Sequence, residues 1–354
     1  MDWKFLFFTL VKIVCVIVPL LTMVAYAVLA ERKISAWIQD RVGPNRTAPP
    51  VALKIPVVGR LLQRWGMFQP LADGLKFLLK EDFTPNYVRR AYFWIAPAIT
   101  MIPAFLVLAV IPFGSSLGQQ KMVIADLDIG ILYTFGIVSL GVYGIVLAGY
   151  ASNSKYPFLG SIRSGAQMIS YEIAMGMSVI PVFLIVGHLR LSDVISWQAQ
   201  HGWLVIYAPV SFFIFLVAGF AETNRLPFDL PESESELVGG YHTEYSSIKF
   251  ALFFLGEYAN MIASSAMMVT LFFGGWTLPG LSEPAGTLGV GLGLLHIAVF
   301  VGKMLALMVV FIWVRWMLPR FRYDQLMDLG WRRFIPLAMA NILITALVLW
   351  NYDR

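Results

Sequence analysis

Long apolar stretches alternate with short polar connections along the whole chain. Eight of them approach about 17 to 25 residues, the length a helix needs to cross roughly 30 Å of hydrocarbon. They cover residues 5–30, 91–113, 130–152, 165–187, 203–221, 248–274, 292–316 and 333–350. Because they are continuously apolar and do not alternate, spanning β-strands are excluded. The pattern predicts an all-α polytopic membrane protein with about eight transmembrane helices.

Composition supports this prediction. Hydrophobic residues make up 58% of the chain and charged residues 13%, with a mean hydropathy of +0.73. This balance excludes a soluble globular chain. The net charge of +5 lies in short clusters between the apolar runs, so we expect a lipid bilayer and no nucleic acid as its partner. Residues 1–354 are interpreted as a single integral membrane domain.

Candidate chemistry is sparse. The chain has a single cysteine, Cys15, which excludes a disulfide framework, a thiolate-bound iron–sulfur cluster and a zinc site built on paired cysteines. The four histidines lack metal-ligand spacing, so we expect no metal site. No phosphate-binding loop, zinc-protease motif or nucleophile elbow occurs in a suitable context. We therefore expect no redox centre in this chain alone, and redox chemistry requires partners.

Basic residues indicate the orientation. The connections after runs 1, 3, 5 and 7, counted with Arg315 and Arg333 at the adjoining ends of runs 7 and 8, carry 19 Lys and Arg, whereas the termini and the other connections carry 4. Since basic residues stay on the cytoplasmic side, both termini are predicted to face outward. The first run could also be a signal peptide ending near Ala30, but its 26 residues exceed a 7 to 15 residue hydrophobic core, which disfavours cleavage.

The longest polar connection covers residues 31–90. Within it, Trp65 to Lys80 has a helical stripe of apolar residues, with Asp73 and Lys76 off the stripe. The pattern predicts an amphipathic helix in the membrane interface; an ordinary packed cytoplasmic helix fits it equally well.

Charged residues inside the apolar runs are unusual in a membrane protein. Glu172, Glu257 and Lys303 lie within runs 4, 6 and 7, where each central charge costs about 2.5 to 3.5 kcal/mol to insert. Such residues usually serve proton relays, ion paths or pairing between helices. A structural pair of Lys303 with one carboxylate is the alternative, although it would leave the other acid unpaired. Lys12 can extend to the surface.

The cytoplasmic loop at 222–246 is rich in acids. Six carboxylates accompany one internal arginine, Arg225. If the loop is solvated it is merely a polar surface; if it is buried, repulsion and desolvation raise some of its pKa values and create a site that takes up protons. Pro227 and Pro231 stiffen the loop and favour an ordered structure.

Several motifs carry a family resemblance. They are Ala221-Glu-Thr-Asn-Arg-Leu-Pro-Phe-Asp-Leu-Pro-Glu232, Glu31-Arg-Lys before Gln39-Asp-Arg-Val-Gly-Pro-Asn-Arg46, Gln69-Pro-Leu-Ala-Asp-Gly-Leu-Lys76, and Gly149-Tyr-Ala-Ser-Asn-Ser-Lys155. From end to end the chain resembles the quinone-site membrane component of bacterial proton-pumping NADH:quinone oxidoreductase, respiratory complex I.

The resemblance implies a quinone-access tunnel and a proton path. Tunnel residues would be Trp37, Arg41, Gln69, Asp73, Arg225 and Phe228. The acidic path would comprise Glu172, Glu222, Glu232, Glu234, Glu236 and Glu257, and we add Lys303 to it from its place in the membrane. The chain would couple quinone reduction to proton translocation without catalytic residues of its own.

The resemblance also implies partners and cofactors. Quinone would be the substrate, ubiquinone in preference to menaquinone. NADH, flavin and iron–sulfur clusters would be confined to partner subunits. Those partners would be peripheral quinone-site and iron–sulfur subunits and antiporter-like membrane subunits, in a bacterial inner membrane with both termini in the periplasm.

One departure from the family pattern lies between two of these motifs. Residues 47–68 make the connection between the Gly-Pro-Asn-Arg and Gln-Pro-Leu-Ala-Asp-Gly motifs longer than is common in the family. The extra segment is either a basic flap that contacts anionic lipid or a tolerated loop insertion. Two other functions remain open. A membrane anchor of a related proton-pumping or formate-linked hydrogenase would share the acidic loop but needs no tunnel, and a free-standing transporter would show repeated halves.

Overall fold

The computed structural model describes residues 3–49, 58–117, 120–231, 234–278 and 290–352, and within these ranges it is almost entirely helical. The α-helices are α1 Trp3–Ile38, α2 Val58–Trp65, α3 Gln69–Leu79, α4 Arg90–Val107, α5 Gly130–Ala151, α6 Lys155–Val186, α7 Leu191–His201, α8 Leu204–Tyr207, α9 Pro209–Glu222, α10 Glu234–Leu237, α11 Ser247–Phe272, α12 Val290–Met317, α13 Tyr323–Asp328 and α14 Ile335–Tyr352. A 3₁₀ turn covers Gly240–His242, a π-helical turn covers Leu329–Phe334, and strands β1 Ser116–Leu117 and β2 Gln120–Lys121 form a small antiparallel pair.

Seven helices of the described chain are long and apolar enough to cross a membrane, which confirms the all-α polytopic fold. The fifth apolar run differs from the other seven. It contains two helices, α8 and the 14-residue α9, and α9 is about 21 Å long. The helix is interrupted at Ala208, because Pro209 begins a new helix there. Its helix is therefore shorter than the continuous span predicted over 203–221.

Helix α6 lies at the centre of the bundle. It packs against α5, α9 and α14, while α11 packs against α4, α12 and α1. Gly187 ends α6 in the left-handed conformation, with φ of 81°, and its N–H donates to the Phe183 carbonyl oxygen at 2.8 Å. The largest buried apolar cluster draws on these same helices, so a packed core fixes their positions.

The connection between α1 and α4 contains two helices, α2 and α3. Helix α3 matches most of the helix predicted from Trp65 to Lys80, but it begins at Gln69 because the chain turns at Gly66, whose φ is 71°. Leu71, Leu78 and other leucines of α3 remain exposed. In the extended segment 47–68, residues 50–57 lie outside the described residues.

Candidate functional site

A buried carboxylate joins three helices and a loop. Glu31 of α1 is 6% exposed, and its Oε2 accepts hydrogen bonds from Arg225 Nη1 at 2.6 Å and from the Tyr258 hydroxyl at 2.7 Å. Its Oε1 pairs with Arg315 of α12. These four residues, the Glu31 cluster, connect α1, α11 and α12 with the loop after α9. Two guanidinium groups surround one carboxylate, so the cluster has a net positive charge.

Arg225 is the most enclosed cation of this cluster. It is 4% exposed, and its guanidinium lies over the Tyr258 ring at 4.1 Å from the centroid. Burial lowers the pKa of Arg225, but Tyr258 and Glu31 outweigh burial and raise that pKa above its ordinary value, so the group stays charged. Within the described chain its Nε and Nη2 atoms are buried without an acceptor. They are buried donors whose hydrogen bonds are unmade in the part of the chain that the structure describes.

The connection between α1 and α4 attaches to this region through α3. Asp73 accepts from Arg32 Nη1 at 2.9 Å and from Gln69 Nε2 at 3.0 Å, and Thr47 donates to the Gln69 amide oxygen. Arg32 follows Glu31 in α1, so the Asp73 pair and the Glu31 cluster lie on consecutive residues of one helix. The structure thus connects three of the predicted tunnel residues, Gln69, Asp73 and Arg225.

The other predicted tunnel residues lie in different surroundings. Trp37, 57% exposed, is at the end of α1, and Arg41 just beyond it is exposed and bonded to Gln39. Phe228 is 3% exposed and stacks on Phe321 with ring centroids 5.4 Å apart. The Phe228 side chain is therefore packed within the protein.

Glu257 immediately precedes Tyr258 in α11 but makes different contacts. The Tyr241 hydroxyl, in the loop after α9, donates to Glu257 Oε1 at 2.9 Å. A cavity of about 10 Å³ is lined by Glu257, Tyr241, Asn260 and Glu222. This volume is close to the minimum for one water molecule, and its lining is polar enough to hold it.

A second, larger cavity continues from Glu222. It has a volume of about 30 Å³, room for about two water molecules, and its lining includes Glu222, Asn260, Ser264 and Thr134. The Ser264 hydroxyl is buried with no hydrogen-bond partner in the described residues. Glu172 of α6 lies close enough to Glu222 for their charges to repel each other. Glu257 and Glu222 line the smaller cavity, Glu222 lines the larger one, and Glu172 faces neither. We call these three carboxylates, Glu257, Glu222 and Glu172, the acidic row.

The remaining acids of the 222–246 loop are spread over other surroundings. Glu236 is exposed and pairs with Arg163 at 2.6 Å, and the buried Asp229 pairs with Arg320 at 2.9 Å. Tyr87 donates to Glu244 at 2.6 Å, and this hydrogen bond raises the pKa of Tyr87. The predicted residue Glu232 lies outside the described residues, and the side chain of Glu234 is not among those described.

Lys303 is separated from the acidic row. Its ammonium donates to the backbone carbonyl oxygens of Phe273, Gly275 and Thr277 at 2.5 to 3.1 Å and lies 5.1 Å from the Trp203 ring. These carbonyls follow the C-terminal end of α11, about 22 Å along the helix from Glu257. The structure therefore gives Lys303 a helix-capping environment, and no carboxylate pair of Lys303 occurs among the described residues.

Sequence reasoning missed several residues of the site. Glu31 was noticed only as part of a motif, and Tyr258, Arg315 and Asn260 were not singled out. Glu31 next to Arg32 and Lys33, at the end of an apolar run, was the available signal. The amide of Asn260 faces both cavities, but a single asparagine in an apolar helix carries little information by itself.

Comparisons with known proteins agree along the length of the chain. Residues 11–346 match the family described as NADH dehydrogenase. An H subunit of NADH-quinone oxidoreductase from Cytophaga hutchinsonii is 47% identical over 334 residues, covering 92% of each chain. The H subunit from Flavobacterium psychrophilum is 46% identical over 356 residues, covering 99% of each. An H subunit from Geobacter metallireducens is 47% identical over 345 residues, covering 96% of each.

Proposed function

The chain belongs to the NADH dehydrogenase family, with H subunits of NADH-quinone oxidoreductases as its relatives, and we propose that it forms much of the quinone-access tunnel of such a complex. As a subunit of this oxidoreductase it is a multi-pass membrane protein. In the proposed function it binds the quinone and couples its reduction to proton translocation, while partner subunits supply the electrons.

The Glu31 cluster carries the tunnel proposal. Arg225 is fixed by Glu31 and Tyr258, yet two of its buried nitrogens have no acceptor among the described residues. A quinone carbonyl oxygen is a hydrogen-bond acceptor of the kind that these donors lack. Because an unmade buried hydrogen bond costs roughly 1 to 3 kcal/mol, a ligand that completes it is favoured.

The connection between α1 and α4 supports an apolar entrance to the same region. Exposed leucines of α3 and exposed Trp37 surround the end of α1, and the Asp73–Arg32 pair joins α3 to that helix. The apolar chain of a quinone would lie along the leucines while its ring approaches the charged cluster. Arg41, Gln69 and Phe228 would support the walls of this tunnel.

The acidic row supports the proton path. Glu257 and Glu222 share one cavity of water size, Glu222 lines a second, and Asn260 lines both. Glu172 interacts electrostatically with Glu222 and would continue the path. Proton transfer through one bridging water is a feasible step between such groups. Glu232, Glu234 and the exposed Glu236 would form its cytoplasmic end. Lys303 would act at a distance, by holding the end of α11.

Two short segments link the proposed tunnel to the proposed path. Glu257 and Tyr258 are consecutive in α11, and Tyr258 contacts Glu31 while Glu257 contacts Tyr241. Glu222 belongs to the acidic row, and Arg225, three residues later in the chain, belongs to the Glu31 cluster. A change of charge or position at the quinone would thus reach the acidic row through very few bonds.

The remaining features of the proposal concern the setting. Antiporter-like membrane subunits would contact the Glu172 side, and peripheral quinone-site and iron–sulfur subunits would cover the inner connections. The membrane would be the bacterial inner membrane, with both termini in the periplasm and ubiquinone as the substrate.

Replacement of Arg225 tests the tunnel. In the assembled complex, we expect Arg225→Ala to reduce NADH:quinone activity by about tenfold or more while NADH oxidation by a hydrophilic artificial acceptor is nearly unchanged, because a charge-assisted hydrogen bond of about 1.5 to 3 kcal/mol is lost. Arg163→Ala, which removes an arginine of the surface pair with Glu236, is the matched control. Equal loss of both activities in a complex that assembles normally would contradict a role for Arg225 at the quinone.

A further inference from the structure

A large apolar groove lies beside the N-terminal half of α1, and no residue of the Glu31 cluster or the acidic row lines it. Its volume is about 450 Å³, and it is bounded by α1, by α11, by α12 and by the segment 108–122. Cys15 and Val11 of α1 line it and are exposed, so the groove opens to the surroundings of the helix bundle. We call it the N-terminal groove.

The length of the groove suits one hydrocarbon chain. On α1 it extends from Phe8 to Met23, about 22 Å along the helix axis, which exceeds the roughly 15 Å thickness of one leaflet. Apolar side chains line the groove over most of this length, as the chain of a lipid requires.

Lys12 indicates the headgroup. It lines the groove with one other strongly polar side chain, Gln120, and the structure gives Lys12 no ion pair or hydrogen bond with any described residue. A cation in an apolar groove needs a counterion. The phosphate diester of a phospholipid supplies a negative charge at the end of its hydrocarbon chains. A quinone is neutral and would leave Lys12 without a counterion.

We propose that an anionic phospholipid binds in the N-terminal groove, with one acyl chain between α1, α11 and α12 and its phosphate paired with Lys12. The lipid belongs to the leaflet at the N-terminal end of α1. It fills a space that the side chains leave open, and it fixes α1 against α11 on the side opposite to Glu31. The site is independent of the proposed quinone tunnel.

Photolabelling of the assembled complex tests the site. The complex is placed in phosphatidylcholine nanodiscs that contain a few per cent of phosphatidylglycerol with a diazirine on its acyl chain, and the labelled residues of this chain are mapped by mass spectrometry. We expect the label to concentrate on groove residues such as Val16 and Met304, about fivefold above the labelling by diazirine phosphatidylcholine. Lys12→Gln should remove the preference for phosphatidylglycerol. Lys121→Gln, which removes a nearby lysine paired with Asp126 at 3.1 Å, should preserve it.

A filled groove provides the second test. Cys15→Trp adds bulk at an exposed groove position and should reduce labelling by at least about fivefold, whereas Val14→Trp, exposed but outside the lining, should not. Even labelling along α1, unchanged labelling in Cys15→Trp, or crosslinks that join the groove to another subunit would overturn the proposal. Competition by a long-chain quinone but not by unlabelled phosphatidylglycerol would overturn it as well and assign the groove to a quinone chain.

Discussion

Glu31 and Glu222 are both buried carboxylates near the C-terminal ends of apolar helices, but their surroundings differ. Glu31 has two guanidinium groups and a phenol within hydrogen-bond distance. Glu222 lines two water-sized cavities, and its charged neighbour Glu172 has the same sign. Similar burial therefore produces two different electrostatic environments within one molecule.

The difference separates a fixed charge from an exchangeable one. A carboxylate between two cations is stabilised as an anion, and protonating it or removing its partners is costly. A carboxylate beside another acid and a polar cavity has a less stable anionic form, and water in the cavity can bring a proton to it. The Glu31 cluster is suited to hold an oriented arginine, whereas the acidic row is suited to change its protonation.

The largest expected effect comes from removing the fixed charge. Glu31→Gln leaves Arg225 and Arg315 near each other without a counterion, so we expect destabilisation on the order of 3 to 5 kcal/mol and poor assembly on native gels. The double variant Glu31→Gln, Arg315→Gln should recover part of the assembly, because one uncompensated cation is gone. Normal assembly of the single variant would show that the cluster does not stabilise the fold.

The next effect concerns activity in a complex that assembles. Glu257→Gln keeps the shape of the side chain and an acceptor for Tyr241 but cannot exchange a proton. We expect quinone-linked activity and proton pumping to fall by about tenfold or more. Glu257→Asp, which still titrates, should keep part of both, and wild-type pumping in the Gln variant would remove Glu257 from the path.

A smaller effect tests the water-sized cavities. Asn260→Leu keeps the branched shape of the side chain but removes the amide that lines both cavities. We expect proton-coupled turnover to fall about fivefold, equivalent to about 1 kcal/mol for one hydrogen bond. Asn260→Gln, which keeps an amide, should retain more activity than Asn260→Leu. Equal activity of the Leu variant and the wild type would exclude a water bridge held by Asn260.

The smallest effect distinguishes buried from exposed acids. Glu236 is 57% exposed at its side chain and forms a surface pair with Arg163, for which about 0 to 1 kcal/mol is typical. Glu236→Gln should therefore leave the midpoint of thermal unfolding nearly unchanged. It should alter pumping by less than about twofold, because Glu232 and Glu234 would remain at the proposed cytoplasmic end of the path. A loss comparable to that in Glu257→Gln would show that this end of the path depends on Glu236 alone.

The apolar pattern predicted most of the membrane helices because continuous hydrophobicity and span length are local properties of the sequence. It was wrong where single residues redirect the backbone. The turn at Gly66 moves the start of the predicted interfacial helix to Gln69, and Pro209 divides the fifth apolar run. Both residue types were visible in the sequence, but the backbone geometry at each depends on its neighbours in space.

The site was less predictable than the fold. Glu31 lies 194 residues from Arg225 and 284 from Arg315, so no periodicity connects them. The same limitation applies to Lys303, whose bonds to backbone carbonyls require the turn after α11. Motif resemblance indicated Arg225 and Asp73 because each belongs to a specific string of residues, yet it could not indicate which groups they contact.

Helix α1 also makes the thickness of the bilayer a variable in this mechanism. Its apolar part, residues 6–30, is about 37 Å long, whereas the hydrocarbon core measures about 30 Å. A helix that is too long for its membrane tilts or bends, and Pro19 lies near the middle of this one. A thinner bilayer demands more tilt and moves the inner end of α1 sideways. The position of Glu31, and with it the arginine that it orients, therefore depends on the acyl-chain length of the surrounding lipids.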